Sequence, residues 1–174
     1  GMIKSTPFVI ENCLYVVAGR SLYILKLASG RDTVYTEKDA TSTSGHLTLQ
    51  ASTESKPVAV AGRNDTVSVV YAFSDWDAGV ELVKHGEPIA RAIPDVTSPV
   101  YADLLSIGGD RIIAADIFGY LHDVNTQTLE VRSTKVASSP LFSSPVLQDG
   151  TITFGCHDGV VRCVRRTDLS SIVW

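Results

Sequence analysis

The stretch Ser143-Ser144-Pro145-Val146-Leu147-Gln148-Asp149-Gly150-Thr151-Ile152-Thr153-Phe154-Gly155-Cys156-His157-Asp158-Gly159-Val160-Val161-Arg162-Cys163-Val164 decides how this chain is read. After Pro145-Val146-Leu147 comes the turn pair Asp149-Gly150, and Thr151-Ile152-Thr153-Phe154 then alternates polar and apolar, as a strand with two unlike faces must. His157-Asp158-Gly159 marks a second turn. An Asp-Gly pair between alternating runs signals a tight hairpin, because both central residues of a type I′ turn need φ > 0. Val160 to Arg165 supplies a third strand, Thr167-Asp168-Leu169 a further turn, and Ser171 to Trp174 a fourth strand.

The same unit recurs upstream. Ser/Thr-Pro pairs open apolar runs at Pro7, Pro99 and Pro145, spaced by 92 and 46 residues, so one unit of 46 is expected between the first two. It should begin near Thr53, where no Pro stands, with Val58 to Gly62 and Val69 to Phe73 as its interior. In the third unit Phe118-Gly119 answers Asp158-Gly159; in the first, Leu14 to Ala18 and Leu22 to Leu27 flank a turn around Gly19-Arg20-Ser21. No amphipathic helix of ten residues is present; Trp76 to Lys84 comes nearest, and Gly79 and Val80 weaken it. Four strands in about 46 residues, repeated, are the signature of a β-propeller blade. The predicted fold is all-β: about four four-stranded antiparallel blades over 5–52, 53–96, 97–142 and 143–174, half or a fragment of a seven- or eight-bladed ring.

Composition narrows the function classes. The 174 residues carry 15 Lys and Arg against 19 Asp and Glu, a net charge of −4 that speaks against nucleic-acid binding. With 44% hydrophobic and 20% charged residues the chain is neither disordered nor, lacking an apolar run of about 18 residues, membrane-spanning. Three cysteines, Cys13, Cys156 and Cys163, with no vicinal pair argue against a disulfide framework. Gly1-Met2 reads as a tag remnant, no signal-peptide core follows it, and the apolar end Ile172-Val173-Trp174 suggests a fragment; the expected location is cytoplasmic.

Residues 143–164 resemble the repeat of the pyrroloquinoline-quinone-like (PQQ-like) β-propellers, whose blade opens Ser-Ser-Pro-Val, turns at Asp-Gly and continues Leu-Tyr-Ala-Leu. Leu22-Tyr23-Ile24-Leu25 and Val70-Tyr71-Ala72-Phe73 are similar to its later half, and Trp174 falls at the family's inter-blade docking tryptophan. Units one and three lack that tryptophan, so apolar contacts are expected to dock the blades. The resemblance implies two unlike activities. Quinoprotein dehydrogenases hold PQQ against vicinal cysteines with a Ca²⁺ on the propeller axis, and this chain has no vicinal pair. Other members are binding scaffolds, including an outer-membrane assembly lipoprotein and the C-terminal propeller of aminoadipate-semialdehyde-dehydrogenase-like acyl-CoA synthetases.

Several residues invite chemistry. Cys156-His157-Asp158 has the types for nucleophilic or metal chemistry, but neighbours on a strand point to opposite faces, which favours a structural hairpin; Cys163 is expected opposite Cys156 across it. Asp123, after His122, is expected to anchor a turn. Asp75, Asp77 and Glu81 lack the spacing of a Ca²⁺ loop. Arg162, Arg165, Arg166 and Lys135 could form a modest basic patch, and Thr36 to Ser55 reads as a long loop. The expected function is a non-catalytic scaffold whose loops near Arg63-Asn64-Asp65, Phe118 and His157-Asp158 meet a protein or small ligand, with no cofactor and no metal. Open ends of a four-blade array invite pairing, so two copies are expected to close an eight-bladed ring.

Overall fold

In the computed structural model, residues 3, 6–10, 13–26, 47–48, 56–61, 67–73, 79–84 and 90–174 are described. Among them sixteen strands pair into four antiparallel sheets, and no segment is helical. The first sheet holds β1 (Phe8–Ile10), β2 (Cys13–Ala18), β3 (Ser21–Lys26) and β4 (Leu47–Thr48); the second holds β5 (Val58–Ala61), β6 (Val67–Ala72), β7 (Val80–Lys84) and β8 (Ala90–Ala92). The third holds β9 (Leu105–Gly108), β10 (Arg111–Ala115), β11 (Tyr120–Asn125) and β12 (Val131–Lys135); the fourth holds β13 (Val146–Gln148), β14 (Thr151–Gly155), β15 (Val161–Arg165) and β16 (Asp168–Ile172). Strands follow chain order within every sheet. The first strands touch their neighbours, β5 on β9 and β9 on β13, and β12 meets β16 at the outside, so successive sheets stack face to face around a shared inner edge.

Apolar layers between the sheets hold the stack together, and the period of two in a strand explains how one strand serves two layers. Val69 and Tyr71 of β6, with Phe73 just beyond it, pack on Tyr15, Val17, Leu22 and Ile24 of the first sheet. The alternate residues Val70 and Ala72 pack on Ile112, Ala114 and Val124 of the third. Ile113 and Ala115 turn the other way, onto Ile152, Phe154 and Val164 of the fourth. Interior sheets therefore read as continuous apolar runs, whereas β2 and β14 alternate buried and half-buried positions because they are covered on one side. Each fully buried Ile or Val contributes about 1.5–3 kcal/mol by leaving water.

The turns divide into two kinds. Asp149 (φ 48°) and Gly150 (φ 78°) form the left-handed pair expected of a type I′ hairpin. Asp158-Gly159 does not: only Gly159 has positive φ (81°), and a three-residue loop is closed by Cys156 N–H to Val160 O (2.9 Å) and Gly159 N–H to Cys156 O (3.0 Å). Gly119 (φ 82°) closes the equivalent loop from Asp116 to Tyr120.

The repeat register also needs correction. Pro7 and Pro145 directly precede β1 and β13, and Pro57, not a residue near Thr53, holds that place before β5; Leu104 takes it before β9. Pro99 belongs to a different position, matched by Pro140: their carbonyls accept from Ile117 N–H (3.2 Å) and His157 N–H (3.0 Å) of successive blades. The interval of 46 thus joined unlike sites, while Gly119 and Gly159 are 40 residues apart. In the fourth sheet, β16 starts at Asp168, where a turn was expected. Trp174 is 62% exposed, with its carbonyl accepting from Cys163 N–H, instead of being buried between blades. Cys163 lies opposite Thr153, not Cys156, and all three cysteines are buried free thiols. Apart from Leu47–Thr48, the Thr36 to Ser55 segment lies outside the described residues.

Candidate functional site

The turns that join second to third strands and the connections that join one sheet to the next lie at the same end of the stack, because strands run in order from inner to outer edge. That end carries a buried polar brace. Asp116 Oδ1 accepts from Phe118 N–H (2.9 Å) and Tyr120 N–H (2.8 Å), fixing the loop around Gly119. Its Oδ2 accepts from the Ser98 hydroxyl (2.5 Å) and lies 3.0 Å from His122 Nε2, while His122 Nδ1 is 2.8 Å from Ser133 Oγ. Burial opposes the charge on Asp116, but hydrogen bonds from His122, Ser98 and Tyr120 N–H outweigh it and hold the carboxyl below its ordinary range. With Asp116 ionised, Nε2 donates to it. The Tyr120 ring stacks on the imidazole at 6.1 Å, and Lys135 Nζ sits 4.7 Å from its centroid while donating to Phe118 O.

Ser133, His122 and Asp116 have the order and polarity of a nucleophile relay, and with Phe118 they line a cavity of about 400 Å³. The carboxylate is at the same time the cap of its own loop, with both oxygens engaged, and both ring nitrogens are spent. These bonds tie the loop, β11, β12 and the preceding connection together.

Exposed aromatics lie at the same end. Tyr101, Phe118 and Phe142 are 44–47% exposed. Tyr101 and Phe142 meet edge to face at 5.6 Å, and Phe142 meets the exposed His157 ring the same way at 5.7 Å. Large apolar side chains left in water on loops mark surfaces that bind.

Of the residues singled out by sequence, Phe118 and His157 are on this end. Asp158 is too, but its carboxylate is tied to Arg162 (2.6 and 3.0 Å), which holds its pKa far below the ordinary range, with Val160 N–H adding a further bond. Arg63, Asn64 and Asp65 lie outside the described residues, as do Asp75 and Asp77. Pairwise reading missed Tyr101, Phe142 and the Asp116 brace, whose members come from separate elements; the signal available was the repeated Ser-Pro-apolar connection at Ser98-Pro99-Val100 and Ser139-Pro140-Leu141. Asp123 anchors no turn: it accepts from Arg111 Nε (2.9 Å) and Arg111 Nη2. The supposed basic patch is split, with Arg162 held by Asp158 and Lys135 by Tyr120 and Phe118.

No family model and no curated protein matches this sequence. Solved structures do. The computationally designed Ika4 protein is similar with a TM-score of 0.65 at 12% identity, over 94% of this chain and 90% of that one. The Cps50 (Swd1) β-propeller domain of Myceliophteria thermophila is similar with a TM-score of 0.58 at 17% identity, over 88% of this chain and 48% of its own. This chain has a β-propeller fold. BamB from Moraxella catarrhalis gives 0.60 at 19% identity, over 92% of this chain and 44% of that one. The chain thus spans most of Ika4 and about half of the two natural propellers.

Among the described residues no three His, Cys, Asp or Glu side chains come together to hold a metal ion, and the three cysteines lie apart in the sequence without a vicinal pair. No helix among the described residues is long and apolar enough to cross a membrane.

Proposed function

We propose that this propeller is a non-catalytic protein-interaction module that uses its braced loop end to grip an apolar segment of a partner, and that two copies complete one ring. The observation that carries the reading is the exposed ladder Tyr101–Phe142–His157, which crosses two inter-sheet connections and the loop before Gly159. Rigid aromatics present large contact area at small conformational cost, and here the Asp116 brace fixes the loop beside them.

Panning a displayed peptide library on the immobilised protein tests this. Enriched peptides are expected to bind saturably and to lose about tenfold or more in affinity on Phe142→Ala or Tyr101→Ala, as anchors in a binding face do. Failure to enrich any peptide, or binding indifferent to both changes, rejects the reading. The quinoprotein alternative predicts stoichiometric heat on titration with PQQ and Ca²⁺, and the scaffold reading predicts none. An adenylating enzyme's propeller would require an adenylation domain in the parent gene, which its sequence decides.

A further inference from the structure

A second concavity lies at the opposite end, between the third and fourth sheets, with a volume of about 300 Å³. Arg111, Arg132 and Arg166 all line it. Arg111 is neutralised by Asp123. The side chains of Arg132 and Arg166 make no ion pair or hydrogen bond with the described residues, and the Arg166 guanidinium reaches from the fourth sheet to within 3.8 Å of where a Cβ on Gly108 of the third would stand. Asp168 is also on the wall, but its carboxylate is engaged by Ser170 N–H (3.1 Å) and Ser170 Oγ (2.6 Å).

Two guanidinium groups from neighbouring blades, neither paired with a described residue, line one groove, and an anion placed there can be shared by both. Leaving Arg111 with Asp123, the groove offers two positive charges against the one negative charge of Asp168. Thr134 and Thr167 add hydroxyl donors, and Ile107 and Leu169 supply an apolar wall. A single carboxylate presents one planar pair of oxygens, matched by one guanidinium fork; a phosphoryl group presents three terminal oxygens and up to two charges, which two forks from different directions can share.

We infer that this inter-blade groove binds a phosphomonoester whose carbon body rests on Ile107 and Leu169. The site is separate from the aromatic end, so it stands or falls independently of the interaction reading above.

Calorimetric titration of the intact chain with phenyl phosphate, inorganic phosphate and a phosphoserine peptide tests it. Phenyl phosphate is expected to bind one per chain, more tightly than inorganic phosphate, and to weaken about tenfold or more with either Arg132→Gln or Arg166→Gln. Arg165→Gln, an exposed neighbour outside the groove, should leave binding unchanged, and thermal melts of each variant report folding. Equal affinity for phenyl phosphate and the peptide supports a site that reads the phosphoryl group alone; tighter peptide binding supports it and assigns the source to a phosphorylated polypeptide. Absence of saturable binding by all three probes, or binding that Arg165→Gln weakens as much as the groove variants do, overturns the inference.

Discussion

Two glycines in equivalent loops are under unequal demands. Gly119 and Gly159 both have φ near 80°, where an L-residue costs about 1–2 kcal/mol. A Cβ on Gly119 would also fall 2.2 Å from Ala137 O and 2.9 Å from Ser139 O, whereas around Gly159 nothing lies within 4 Å. Gly159→Ala is therefore expected to cost about 1 kcal/mol, and Gly119→Ala about 3 kcal/mol or more, because the connection carrying Ala137 must move. Urea melts of the two variants check the ranking, and equal losses would refute the close approach. Asp116, in the same loop, sets an acid limit. Its carboxyl titrates below the ordinary range in the folded chain, so its stabilising contribution is present above the unfolded carboxylate pKa, near 4, and is lost as pH falls through the lower folded value. Asp116→Asn keeps an acceptor for the two loop N–H groups but reverses the donor toward His122; Asp116→Ala leaves Ser98, His122 and both N–H groups unpaired. Alanine should cost about 2–3 kcal/mol more than asparagine, and the asparagine variant should lose less stability than the parent between pH 6 and pH 3. Denaturation midpoints across that range measure both.

At the scale of strands, the repeat was legible because its physics is local. Thr151-Ile152-Thr153-Phe154 shows one covered face, and Ile112-Ile113-Ala114-Ala115 shows two, so the degree of alternation reports whether a sheet is flanked on one side or both. Asp149-Gly150 encoded its turn type directly. Asp158-Gly159 misled because the same dipeptide also ends a three-residue loop, where only the glycine need be left-handed. The Pro register misled because two different positions in each repeat favour proline, one before the inner strand and one in the connection. The candidate face was half legible: Phe118 and His157 sit in turns that the repeat locates, but the contact between Tyr101 and Phe142 joins residues 41 apart that no local pattern couples. Coverage also orders the opening energies of the strands. In a single copy, amides of β10 and β11, in a sheet packed on both faces, should exchange hydrogen far more slowly than those of β13 and β16 at one side of the stack, and closure of a paired ring should narrow that gap. Native-state exchange that showed β13 as protected as β10 would mean that its outer face is covered in solution.

At the scale of the molecule, the stack has two outward faces of different chemistry. Residues of the first sheet that point away from the second are Val9, Leu14, Val16 and Tyr23, an apolar set paired across strands as Val9 with Leu14 and Val16 with Tyr23. On the fourth sheet the outward set is mixed, with Val146, Thr153 and Val161 beside Gln148, Thr151 and Arg165, and both valines are exposed. The first face resembles one half of the layers that already join sheets inside the chain, and a head-to-tail pair of copies would cover both faces twice under one two-fold axis. Light scattering behind size exclusion should accordingly give twice 18.7 kDa, stable on dilution. It should also persist in about 1 M salt, since apolar burial is not screened as charge pairs are. Val161→Glu should yield a folded monomer, because it sets a carboxylate in the middle of the contact, whereas Phe142→Ser at the loop end should leave the pair intact. A parent chain that is monomeric at every concentration would sink the paired ring while leaving the blade stack and its aromatic end as they are.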